Sequence, residues 1–164
     1  MPTSEAGLVH RQAVRALILT PDQHVLLCRI HAPGGDPGFW IAPGGGLEPG
    51  ETQDEGLRRE LQEELGLSDF EAGPVVWRRH HTFDWGDRRI SQKEEYRVVH
   101  VERFEPVMSD PVEAEALECF RWWPIDELAT AAERFTPLSL ADIMRRYLRD
   151  GAPATPPDEE VLVD

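Results

Sequence analysis

Three glutamates in one short stretch carry the strongest chemical signal in this chain. Glu60, Glu63 and Glu64 stand at i, i+3 and i+4, the spacing that makes side chains neighbours on a helix. On a wheel with Leu57 at zero, Leu61 and Leu65 fall at about 40° and 80°, and Glu64, Glu60 and Glu63 at about −20°, −60° and −120°. The carboxylates share one arc, and Glu64 borders the apolar stripe that must face a core. Like charges so placed weaken a helix by a few tenths of a kcal/mol each. Two readings are open: a solvated acidic face, or a cation site. A carboxylate beside a core is costly without a compensating cation. Oxygen-only ligands suit Mg²⁺ or Mn²⁺, which keep water and bridge to phosphates.

The elements around the glutamates can be read from turn and cap residues. Thr52 and Glu55 have the capping-box spacing for a helix that Gly66 ends. Gly56 inside it is unfavourable by about 1 kcal/mol against Ala, which implies close packing there. Ahead lies Pro43-Gly44-Gly45-Gly46, a tight backbone segment, preceded by a short apolar strand from Phe39 to Ala42. Ala13–Thr20 and His24–Ile30 read as a hairpin around Pro21-Asp22. Val75–Phe83 and Ile90–Phe104 read as two long strands around Trp85-Gly86-Asp87, and Leu117–Trp123 as another. Helices are expected from Pro124 and over Ser139–Leu148. Together these predict one α+β domain over residues 1–150, followed by an acidic, mobile tail at 151–164.

Residues 45–67 resemble the Nudix box, G-x5-E-x7-R-E-U-x-E-E-x-G-U, with U apolar. Gly45, Glu51, Arg59, Glu60, Leu61, Glu63, Glu64, Gly66 and Leu67 fill every specified position. Trp40, Pro43 and Gly44 match the usual lead-in. The resemblance is to the Nudix hydrolase family of MutT-like proteins, and in outline it reaches from about residue 12 to 148. It implies the Nudix fold, a mixed β-sheet sandwiched between α-helices. It also implies that Glu60, Glu63 and Glu64 are catalytic and hold Mg²⁺ or Mn²⁺, with the Gly44 carbonyl as a further ligand. Arg59, Glu51 and Gly45 would support and orient them. The implied reaction is water attack on phosphorus in a phosphoanhydride.

Relatives often add an acidic side chain from a loop late in the sheet. Position favours Glu115, then Glu113, with Glu94 and Glu95 as outsiders, so the general base stays open among these and the box glutamates. Arg78, Arg79 and Arg88, with Arg89 and Lys93, form a basic cluster. It reads as a wall facing substrate phosphates or as a cationic surface hairpin. The substrate stays open between a nucleoside triphosphate and a nucleoside diphosphate linked to another moiety. The alternative function is a catalytically silent Nudix-fold module that binds a nucleotide; such a module should have lost box carboxylates, and none is missing here.

A formal charge of −14 disfavours nucleic-acid polymers and anionic membranes as partners, because affinity for polyanions rests on Lys and Arg. A phosphate ligand therefore needs a local reversal of sign, which a divalent metal supplies. No apolar run suffices for a membrane span or a signal peptide. The expected location is the cytoplasm, and the expected partner a small nucleotide, with a homodimer allowed by the resemblance. Cys28 and Cys119 are too few for a disulfide framework.

Overall fold

The computed structural model describes residues 7–31, 34, 37–108 and 117–164. Strand β1 (Leu8–Leu19) runs through its centre, and its alternation decides both faces of the sheet. Val14, Ala16 and Ile18 turn one way, into a core with Leu57, Leu61 and Leu65 of helix α1 (Gln53–Leu65). Leu17 and Leu19 turn the other way, toward Leu140, Ile143 and Met144 of helix α2 (Leu140–Asp150). Helices on both faces explain why β1 reads as an almost continuous apolar run. The sequence reading of a mixed sheet between helices holds.

The other strands are β2 (His24–Ile30), β3 (Phe39–Ile41), β4 (Gly44–Gly46), β5 (Val75–Trp85), β6 (Arg88–His100), β7 (Leu117–Pro124), β8 (Phe135–Thr136) and β9 (Glu159–Val163). The main path is β8-β3-β2-β1-β6-β5-β9, with β4 pairing β1 and β7 pairing β2. The expected first hairpin closes only where Leu19 meets Val25. Along its other edge β1 runs parallel to β6 from Leu8 beside Arg89 to Leu19 beside His100.

Three expectations about elements change. The helix expected from Pro124 is a single turn, Ile125–Glu127, after which the chain returns to pair Phe135 and Thr136 with Trp40 and Ile41. The second long strand stops at His100 instead of Phe104. The end of the chain, expected as a loose tail, instead contributes β9, parallel to β5 from Arg78 beside Glu159 to Thr82 beside Val163. Main-chain pairing at a sheet edge requires no apolar stripe, so the acidic composition hid it. Side-chain contacts fasten it: Trp77 Nε1 donates to Glu160 at 3.1 Å, Arg78 Nε to the Pro157 carbonyl at 2.9 Å, and His81 Nε2 lies 2.7 Å from Asp164 Oδ2.

Candidate active site

The box helix begins as its sequence requires. Thr52 Oγ1 accepts from Glu55 N at 3.1 Å and Glu55 Oε1 accepts from Thr52 N at 3.0 Å, so the capping box closes. Gly66 ends the helix with φ 70°. Gly56 abuts Leu47, so a Cβ there would collide with it. The close packing inferred from that glycine is present.

Strand β4 lies against β1 and in front of the helix. Gly44 has φ 142°, and a Cβ would strike the Val14 carbonyl. At Gly45 a Cβ would come within 2.7 Å of the Glu60 carboxyl carbon. These glycines bring bare backbone against a carboxylate. Gly44 engages the site through its N–H, which donates to Glu64 Oε2 at 3.0 Å.

Glu60 and Glu64 are buried, at 3% and 8% exposure, while Glu63 is half-exposed. The helical wheel anticipated the burial of Glu64. Arg59 ties the group together. Its Nε and Nη2 grip Glu51 at 2.7 and 2.9 Å, its Nη1 reaches Glu60 at 3.1 Å and Glu63 at 3.2 Å, and Nη2 also donates to the Gly46 carbonyl at 2.9 Å. That bond from Arg59, with another from the Glu48 amide, pulls the Glu51 carboxyl down to about 2. Glu60 shifts the other way: burial raises its pKa more than Arg59 lowers it. Glu60 Oε2 is buried without a hydrogen-bond partner.

Among the described residues no three acidic or imidazole side chains are already gathered into a metal cluster. The donor set nevertheless suits a hard divalent cation. All the donors are carboxylate oxygens, one of them orphaned and buried, and the glycine strand leaves the Glu60 carboxylate uncovered by any side chain of its own. The Cys28 thiol lies 3.9 Å from Glu64 Oε1. Burial raises its pKa well above that of a free thiol.

The basic cluster divides by strand alternation. Arg78 is spent on the C-terminal segment, and Arg88 is exposed beside the β5–β6 turn. Arg79 is buried at 3% and paired with Glu94. The adjacent glutamates also part: Glu94 is buried between Arg15 and Arg79, and Glu95 faces the other side of β6. Arg15 was missed by sequence reasoning, though a lone cation inside the apolar run Ala13–Leu19 was a usable signal. It lines, with Arg79, a cavity of about 660 Å³. Glu113 and Glu115 lie outside the described residues.

Residues 9–147 match the NUDIX domain family. A segment of 42 residues is 57% identical to a nucleoside triphosphatase NudI of Enterobacter sp. (strain 638), covering 25% of this chain and 30% of that one. Fifty residues are 48% identical to the NudI of Klebsiella pneumoniae (strain 342), covering 30% and 36%. The chain thus spans about a third of the length of these curated relatives. Among solved structures, the MutT protein of Methanosarcina mazei Go1 superposes with TM-score 0.62 at 20% identity, covering 88% of this chain and 97% of that one. The Escherichia coli dihydroneopterin triphosphate pyrophosphohydrolase gives 0.63 at 16%, covering 87% and 99%. These two likenesses concern the fold. With the match running from β1 into α2 and the box complete over residues 45–67, the chain belongs to the NUDIX domain family.

Proposed function

We propose that the chain hydrolyses a phosphoanhydride bond of a small nucleotide, by attack of water on phosphorus, with a divalent cation. The observation that carries this reading is Glu60, whose buried Oε2 has no partner inside a knot of carboxylates. A fold that only needed an acidic surface would leave those oxygens in water. A nucleoside triphosphate is the first substrate to test, because that is what the partial relatives are named for. A nucleoside diphosphate linked to another group is the second.

Glu60, Glu63 and Glu64 would hold Mg²⁺ or Mn²⁺, with the Gly44 carbonyl beside them. The cation supplies Lewis-acid neutralisation of phosphate charge. The side chains supply position. Arg59 restrains two of the three carboxylates and is itself fixed by Glu51, so little reorganisation remains when substrate arrives. Glu64 is held by the Gly44 amide and Glu63 keeps contact with solvent. The proton of the attacking water goes to one of the box carboxylates or to an acidic side chain of the 113–115 segment. Arg79 would face the substrate from the cavity, which Arg78 and Arg88 do not line.

A panel of nucleoside triphosphates, nucleotide sugars, ADP-ribose and dinucleoside polyphosphates tests this, with Mg²⁺ and Mn²⁺ and products identified by mass. Cleavage between phosphorus atoms, abolished by EDTA, is expected. No turnover on any member would overturn the reading in favour of a nucleotide-binding module.

A further inference from the structure

The strand register gives the cavity two unlike ends. Its floor is laid in rungs: Arg79 beside Glu94, then His81 beside Gln92 and Arg11, then Phe83 beside Ile90. Four residues of strand separate Glu94 from Ile90, about 13 Å. One end is therefore cationic and the other aromatic, with Trp85 beyond Phe83.

At the cationic end two guanidiniums contact one buried carboxylate. The Glu94 side chain is fully enclosed, and one of its oxygens meets Arg15 Nε at 2.7 Å and the other Arg79 Nε. Arg15 Nη1 also donates to the Ala42 carbonyl at 3.0 Å, and Arg79 Nη1 to Thr136 Oγ1 at 3.1 Å. Two guanidiniums thus share one carboxylate, and their side chains are only 14% and 4% exposed. Burying charged groups is costly, and well-packed apolar residues hold a core at least as well. Both guanidiniums line a cavity in a chain whose net charge is −14. Arg15 is also attracted by Glu64 and Glu60 of the box helix, so the pair stands between the carboxylate knot and the cavity it lines.

We propose that Arg15 and Arg79 form an anion subsite that receives a phosphoryl group of the ligand, while its flat ring system lies toward Phe83 and Trp85. Glu94 is the positioning residue that holds both guanidiniums. This deepens the proposed function, since it takes the cavity as the pocket for the nucleotide. The fork of a guanidinium matches two phosphoryl oxygens at once, which an ammonium does not.

The test is binding by calorimetry in EDTA, so that it does not depend on turnover or on the carboxylate knot. The probes are the common ribonucleoside monophosphates, the matching nucleosides and inorganic phosphate. Wild type should prefer at least one monophosphate over its nucleoside by about tenfold or more, as expected for charge-assisted bonds, with inorganic phosphate competing. Inorganic phosphate binding alone, with no gain from a nucleoside, would overturn the aromatic half. Arg15→Gln and Arg79→Gln should each remove most of the preference, and Arg15→Lys should remove part of it. Glu94→Gln should shrink the preference even where melting is unchanged, a readout that a merely structural role would not move. Arg15→Lys decides the case if the glutamine variants do not fold. Folded variants with the wild-type preference would overturn the subsite, as would a wild type that binds no probe. Glu60→Gln should retain the preference while losing turnover, which separates failure of this subsite from failure of the catalytic reading.

Discussion

A Cβ at Gly45 would stand 2.7 Å from the carboxyl carbon of Glu60, closer than unbonded carbons approach. The backbone of one strand and the side chain of one helix are thus fitted to each other. Gly45→Ala should displace the carboxylate while leaving the cores of β1 and α1 untouched. The expected result is a fall in kcat of about 10–100-fold, the scale for disturbing groups that orient ligands, with circular dichroism unchanged. Gly44→Ala should differ, because its φ is 142° and the blocking atom is the Val14 carbonyl. There the fold itself should lose stability, seen as a lower melting temperature.

Arg59 and Glu51 form the brace. Glu51→Gln removes the charge that Arg59 grips with two donors, and Arg59→Lys removes the fork. Each is expected to reduce kcat about 10–100-fold. Both should also weaken stabilisation by Mg²⁺, measured as the shift in melting temperature on titration. An unchanged shift in both would show that the brace does not orient the carboxylates.

Acid should loosen this brace. Arg59 holds the Glu51 carboxyl down to about 2 in the folded chain, against 4.5 for the free group. A depressed carboxyl contributes stability that is present above its unfolded pKa and lost as pH falls through the folded one. Denaturant midpoints should therefore decline from about pH 4.5 toward pH 2, and Glu51→Gln should flatten that decline. Glu94 is also held low: burial raises it, but Arg15 and Arg79 outweigh burial. Its contribution adds to the decline in the Glu51 variant.

Strand β9 protects an edge. Removing residues 158–164 would expose the main-chain groups of β5 from Arg78 to Thr82. Such an edge invites pairing between chains, so the shortened chain should melt a few degrees lower and self-associate in sedimentation. A monodisperse product with the parent's melting temperature would show that β9 contributes little.

The box helix was legible because its information is local. Periodicity sets Leu57, Leu61 and Leu65 inward, the wheel then places Glu64 at the border, and cap residues mark both ends. The Arg15–Glu94–Arg79 group was not legible. Its members are 79 and 15 residues apart along the chain; Arg15 reaches Glu94 because β1 lies parallel to β6, and Arg79 reaches it across the β5–β6 hairpin. Composition treated Arg78 and Arg79 as equals, and strand alternation sends one toward the C-terminal segment and the other into the cavity. The edge strand β9 was hidden because backbone pairing leaves a weak mark on side-chain pattern.

The most direct measurement compares wild type with Glu60→Gln and Glu63→Gln on the nucleotide that turns over best, in Mg²⁺ at saturating substrate. Wild type should release a product cut between two phosphorus atoms. Both variants should fall by at least about a hundredfold in kcat while melting cooperatively, on the scale of lost electrostatic stabilisation of the transition state. Wild-type kcat in both folded variants would contradict a catalytic role for this carboxylate knot.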